Sequence, residues 1–245
     1  MPLATRNITQ AKTSAKKTNV LNVIIPAAGM GHRMKSYGPK ALLTLYERTS
    51  LIERQIEIIW YVYPKSEIFI VVGFGAEKIR ERLKDYPIHF IYNPLHATTN
   101  VLYSIGLATQ AIVGEEMILI YGDLIFNEHA IRNLKGSSKV VIDDRGFMDG
   151  DEVGLVTEGK NVHNFSFGLE TKWCQIAYLT GKEFKLFKES SLKDSTSQWF
   201  GYEALNYVLE NGGEIEFVNP KLMKIFEVDA AKDLQKMPKT KLTFG

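Results

Sequence analysis

The chain has 245 residues, 45% of them apolar, with a formal net charge of +2, enough for one large α/β domain or two small ones. Basic residues are interleaved with acidic ones, which gives no support to nucleic-acid binding, and no apolar run is long enough to span a membrane. The lone cysteine, Cys174, cannot form an internal disulfide, which fits a reducing, cytoplasmic setting, and the scattered histidines lack zinc-ligand spacing.

Residues 1–19 are rich in Thr, Ser, Ala and Lys, lack acidic residues and show no apolar period, so they read as a disordered basic tail. Residues 20–245 read as a single domain. Residues 21–25 (LNVII) form a buried strand that runs into Pro26-Ala27-Ala28-Gly29-Met30-Gly31-His32-Arg33. Ala27 and Ala28 keep the backbone beyond the strand free of bulk, and Gly29 and Gly31 let it bend and present N–H groups to phosphate oxygens. Arg33 and Lys40, the latter in Pro39-Lys40-Ala41-Leu42, bring two cations to the same loop. No Gly-Lys-Ser/Thr follows, which excludes a P-loop, and Met34 stands where a dinucleotide fingerprint needs a third glycine.

A helix is expected over 51–63, with Leu51, Ile52, Ile56, Ile59 and Trp60 on one face. A strand over 67–72 ends at Gly73, a charged helix spans 77–83, and a further strand spans 88–92. A helix over 100–110 is followed by a strand over 117–121 that runs into Gly122-Asp123. This alternation implies a mostly parallel sheet covered on both faces, with ligands beyond the carboxyl ends of its strands. Gly29, Gly73 and Asp123 all occupy such ends. The second half changes character. Short strands at 140–142, 154–156 and 176–179, helices near 183–188 and 201–209, and late strands at 215–218 and 224–228 are separated by polar turns. On its residues alone, Asp229 reads as the N-cap of a short helix.

The combination of strand, Ala-Ala-Gly-x-Gly-x-Arg, a short gap and Pro-Lys resembles the signature of the GT-A-like nucleotidyltransferases. These join a nucleotide to a phosphorylated small molecule. Further stretches resemble the bacterial phosphocholine cytidylyltransferases in order and interval: Val71-Val72-Gly73-Phe74, Ile91-Tyr92-Asn93-Pro94, Thr99-Asn100-Val101-Leu102-Tyr103-Ser104, Tyr121-Gly122-Asp123 and Glu227-Val228-Asp229. The similarity runs from Val20 to Met237. It implies a Rossmann-like, mostly parallel mixed sheet and Mg²⁺ held by Asp123 and Asp229. It also implies a nucleotide site drawn from Ala27, Ala28, Gly29, Gly31, Arg33, Lys40, Gly73, Asn100 and Ser104. Arg33 is assigned to the leaving β,γ-phosphates and Lys40 to the α-phosphate; Asn100 either reads the base edge or caps a helix.

The substrates implied are a nucleoside triphosphate, CTP favoured, and a small phosphomonoester; a homodimer is compatible with the chain. Where the cytidylyltransferases carry a caging Trp, residues 150–155 hold no aromatic. That absence favours a primary or substituted amine over choline. Trp173, Tyr178, Trp199 and Tyr202, with Glu203, are either an aromatic box for such an amine or core. Glu170-Thr171-Lys172 resembles the Glu-Lys pair of sugar-1-phosphate nucleotidyltransferases, making Lys172 a candidate for the acceptor phosphate. A sugar 1-phosphate acceptor, a GT-A glycosyltransferase and a non-catalytic nucleotide-binding module remain as alternatives.

Overall fold

The computed structural model describes residues 20–29, 38–45, 48–145 and 152–228. The expectations for the 1–19 tail, Gly31, Arg33 and Asp229 lie outside these residues.

The first half follows the expected alternation. The strands are β1 (Asn22–Ala27), β2 (Glu67–Val72), β3 (His89–Tyr92) and β4 (Glu116–Ile120); the helices are α1 (Leu51–Val62), α2 (Ala76–Arg82) and α3 (Val101–Ala111). The apolar runs of β1, β2 and β4 are buried on both faces, as central parallel strands require. β1 pairs in parallel with β2 and β4, and β2 with β3. α1 starts where Ser50 and Glu53 cap each other: Glu53 Oε2 accepts from the Ser50 N–H at 2.7 Å, and Ser50 Oγ accepts from the Glu53 N–H. Burial pushes the Glu53 carboxyl up, but hydrogen bonds from Arg82 and Ser50 outweigh it and hold the group below its ordinary range.

The second half adds β5 (Leu124–Phe126), β6 (Lys139–Asp143), β7 (Val153–Glu158), β8 (Asn161–Phe167), β9 (Thr171–Thr180), α4 (Gly181–Ser191), α5 (Gly201–Glu210), β10 (Glu216–Val218) and β11 (Ile225–Glu227). Nine strands form one mixed sheet in the order β3-β2-β1-β4-β9-β6-β10-β8-β7, and β5 and β11 form a separate antiparallel pair. β9 runs antiparallel to both β4 and β6.

Three strands depart from the sequence expectation, two of them because their two-residue alternation is broken. β8 carries a bulge opposite Val156/Thr157, so Val162 and Phe165, an odd interval apart, both face inward. β9 is irregular against β6 between Val140 and Ile142, and Gln175 there takes φ +56°. That bulge hides the first half of a ten-residue strand whose second half the pattern shows. β5 is only three residues long and lies directly after Asp123.

Apolar side chains pack on both faces of the sheet. Val23, Ile25, Ile68, Ile70, Ile118 and Ile120 meet α1 and α2 through Ile52, Ile56, Ile59 and Ile79. Ile24, Phe69, Val71, Met117 and Leu119 meet α3, α4 and α5 through Leu102, Ile105, Phe187, Leu205 and Val208. Both faces of the first-half strands are thus anchored, and their C-terminal ends present a fixed rim.

Candidate active site

Along that rim the ends of β3, β2, β1 and β4 lie side by side, and the start of β9 follows. A cleft of about 580 Å³ runs over them. Its floor is Pro26, Ala27, Ala28 and Gly29 at the end of β1 and Tyr121-Gly122-Asp123 at the end of β4. Gly122 is required there: a Cβ would lie 2.7 Å from the Pro26 carbonyl oxygen. The β4 turn can therefore sit flat against the end of β1.

Asp123 is the centre of the cleft's charge. Its Oδ2 accepts from Lys40 Nζ at 3.1 Å. Its Oδ1 is buried and meets no hydrogen-bond donor among the described residues. Leaving a carboxylate oxygen dry and unpaired is costly. A carboxylate at the end of a strand and lining the cleft suits a hard divalent cation. The Val228 N–H donates to the Asp123 carbonyl at 2.9 Å, and Glu227 pairs in register with Leu124. The described chain ends at Val228, next to the Asp123 backbone, and the Asp123 carboxylate is a donor set that fits a hard divalent cation such as Mg²⁺. Among the described residues no group of three His, Cys, Asp or Glu side chains forms a metal cluster.

Sequence reasoning missed Gln55. It is buried on α1, and its Nε2 donates to the carbonyls of Tyr121 at 2.9 Å and Leu124 at 2.7 Å. These carbonyls bracket Gly122-Asp123, so Gln55 braces the turn that carries the carboxylate. A polar residue at position 55 of an apolar helix face was the available signal.

The β9 bulge shapes the other end. The Tyr121 N–H donates to the Gln175 carbonyl at 3.3 Å, bringing Lys172, Trp173 and Gln175 next to the Asp123 turn. Lys172 pairs with Glu152 and lies 3.8 Å from Glu227, whose Oε2 accepts from Gln175 Nε2 at 2.6 Å. Burial pushes the Lys172 ammonium down, but the bond to Glu152 and the charge of Glu227 outweigh it and hold it above its ordinary value. Glu152, not the exposed Glu170, is the partner of Lys172.

The expected aromatic box is corrected in part. Trp173 and Tyr202 line the cleft; Tyr178, Trp199 and Glu203 are not among its lining residues. Tyr178 is buried, with its hydroxyl donating to Glu116 at the opposite end of β4, and burial first pushes it up to about 12. Trp199 packs on the core beneath α3 and α5. Glu203 Oε2 accepts from the Phe200 N–H at 2.7 Å and caps α5. In their place stand Phe167 and Phe200. Phe200 stacks on Tyr202 with centroids 6.0 Å apart, and Phe167 meets Tyr202 edge-on at 5.4 Å. Phe167 was hidden because the β8 bulge masks its strand.

At the end of the cleft nearest β2 and β3, Asn100 caps α3. Its Oδ1 accepts from the Val101 N–H at 2.8 Å and its Nδ2 donates to the Gln198 carbonyl at 3.1 Å. Asn100 lines the cleft while it caps the helix, and the cap leaves its second amide hydrogen unused. Ser104 also lines it, its Oγ accepting from Asn93 Nδ2 at 2.9 Å. Gly73 is not a lining residue. A Cβ there would lie 2.5 Å from His96 Cβ and 2.7 Å from the Ala28 carbonyl oxygen, so it makes room for His96, which does line the cleft.

Residues 23–145 match the model of the MobA-like NTP transferase domain, half of the chain. The chain belongs to this family of nucleotidyltransferase enzymes. The bifunctional protein GlmU of Pseudomonas entomophila is 32% identical over 104 residues, a segment that covers 42% of this chain and 22% of that protein. The chain therefore spans only a small part of the curated relatives it matches. In solved structures the fold is similar to that of the CTP:phosphocholine cytidylyltransferase from Streptococcus pneumoniae. The TM-score is 0.74 at 20% identity, over 89% of this chain and 97% of that one. The inositol-1-phosphate CTP transferase from T. maritima gives a TM-score of 0.73 at 18% identity, over 87% and 91%. These likenesses establish the fold: α/β with a mixed sheet. Among the described residues no helix is long and apolar enough to cross a membrane.

Proposed function

We propose that the protein is a Mg²⁺-dependent transferase of nucleoside monophosphate, CMP from CTP, to a small phosphomonoester, with release of pyrophosphate. The observation that carries this reading is the Asp123 carboxylate, which lines the cleft with the Ala27–Gly29 backbone: one oxygen is on Lys40, and the other is buried with no donor among the described residues. In the reaction an acceptor phosphate oxygen attacks the α-phosphorus and pyrophosphate leaves. That oxygen is already ionised near neutral pH, so no side-chain base is needed. Lys40 sets positive charge against the α-phosphate, Gly29 and Gly31 offer backbone N–H groups, and Arg33 meets the leaving phosphates. Magnesium, held by Asp123 and Asp229, supplies further charge neutralisation when bound. We read residues 20–245 as one domain, because a single sheet runs through both halves.

For the acceptor we favour a phosphorylated amino alcohol. The rings of Phe167, Phe200 and Tyr202 at the Lys172 end of the cleft suit a cation. The second reading, a sugar or polyol 1-phosphate, is favoured by the Lys172–Glu152 pair alone. Pyrophosphate release from CTP, measured with phosphoamines and with sugar 1-phosphates, with and without Mg²⁺, tests both. Release with phosphoamines supports the first reading. Release only with sugar phosphates supports the second, and sugar transfer from a nucleotide-sugar without pyrophosphate overturns both.

A further inference from the structure

We propose that His96 makes the site choose cytosine over uracil, by accepting a hydrogen bond from the cytosine 4-amino group at its Nε2. The inference rests on the transferase reading above and goes beyond it, since nothing in that reading assigns a residue to the base.

Strand order sets the direction of the nucleotide. The triphosphate is assigned to the ends of β1 and β4, at Gly29, Lys40 and Asp123, and the acceptor to the β9 side, at Lys172. The nucleoside then extends the other way, over the ends of β2 and β3. There the cleft wall is the loop between β3 and α3, and His96 is its imidazole.

Among the described side chains that line that end, His96 offers a ring nitrogen with no hydrogen-bond partner. Asn100 Oδ1 accepts from the Val101 N–H and Nδ2 donates to the Gln198 carbonyl, which orients the amide for the helix cap. The Thr99 hydroxyl donates to the Leu95 carbonyl at 2.8 Å. The Ala28 carbonyl takes the Phe74 N–H, and the Gly73 carbonyl takes the Ala76 N–H. His96 Nδ1 lies 3.1 Å from the Asn93 carbonyl oxygen. A carbonyl only accepts, so Nδ1 carries the proton, and the neutral ring presents Nε2 as an acceptor. Nε2 has no hydrogen-bond partner among the described residues.

The ring is also held in place. Asn93, itself buried, donates to Ser104, and its Oδ1 accepts from the Leu95 N–H at 2.8 Å, which fixes the loop. Gly73 lets His96 close against the end of β1. An acceptor so fixed matches the amino group of cytosine. Uracil puts a carbonyl oxygen at the same position, so two lone pairs would face each other. A site with a placed polar group rejects the mismatched analogue strongly.

The test is the CTP/UTP ratio of kcat/KM in pyrophosphate release, together with equilibrium binding of each nucleotide by calorimetry, which needs no acceptor. The wild type is expected to favour CTP by about tenfold or more. His96→Phe is expected to bring the ratio near one, with the loss falling on the KM for CTP. His96→Gln, whose amide can either donate or accept, is expected to fall between the two and serves if the Phe variant does not fold. A wild type that takes UTP as well as CTP, or a His96→Phe protein that keeps the wild-type preference, would overturn the role of His96 and leave the transferase reading standing. Binding of neither nucleotide would overturn both.

Discussion

The two ends of the cleft are built differently. At the Asp123 end the site is made of strand termini whose residues pack on both faces of the sheet. Its key carboxylate is pinned by Lys40, by the Gln55 brace on its turn and by the β11 backbone. At the Lys172 end it is made of a bulged strand, a helix start and half-exposed rings: Phe167 and Phe200 are 46% and 44% accessible. Chemistry that needs fixed charge sits on the first, where atoms cannot move. On the proposed function, acceptor selection falls to the second, where side chains can be exchanged without disturbing the sheet. Substitutions at the two ends should therefore separate into losses of kcat and losses of acceptor affinity.

The largest effect is expected from Asp123→Ala. It removes the carboxylate facing the phosphates and leaves Lys40 without this partner, and should lower kcat by about a hundredfold or more with the fold intact. Arg33→Ala should act at the same end with a loss of similar order. Pyrophosphate-release kinetics and thermal melts check both, and near-normal turnover of the Asp123 variant would remove the metal assignment. Gln55→Leu comes next. It strips both hydrogen bonds from the carbonyls that bracket Asp123, which should cost about 1–3 kcal/mol of stability and raise the Mg²⁺ needed for half-maximal rate about tenfold. A Mg²⁺ titration separates this from a loss of stability alone.

At the other end the effects should be smaller and confined to the acceptor. Phe200→Ala removes a ring that stacks on Tyr202 and should raise the KM for an amine-bearing acceptor by about two- to thirtyfold, the range of a cation–π contact. The KM for CTP should not change. Glu203→Gln is the control. Its carboxylate caps α5 on the Phe200 N–H, so it should cost about 1 kcal/mol in a melt and shift the acceptor KM little. A large KM effect there would return Glu203 to the acceptor pocket.

The same division governs what the sequence reveals. Gly29 and Asp123 stand just past the ends of uninterrupted apolar strands, and Lys40 follows in a Pro-Lys turn; a strand end beside glycines is legible because periodicity and motif coincide. Gln55 and His96 carried no motif. Their roles depend on which carbonyls and which neighbouring loop the fold brings to them across tens of residues. The acceptor end was legible only in composition: aromatics in the second half suggested a cage, but the bulges in β8 and β9 break the alternation that tells which of them face the cleft. Tyr178 packs inward while Phe167 lines the site, and outside the strands Phe200, at the start of α5, lines it while Trp199 packs on the core.

The most direct measurement of the central claim is ³¹P NMR of CTP mixed with the protein, Mg²⁺ and a phosphoamine such as phosphoethanolamine. The expected result is equal growth of pyrophosphate and of a new phosphoanhydride product, both absent when either Mg²⁺ or the acceptor is omitted. Growth of inorganic monophosphate, or pyrophosphate released without any acceptor, would contradict transfer and make the Asp123 end a hydrolytic site.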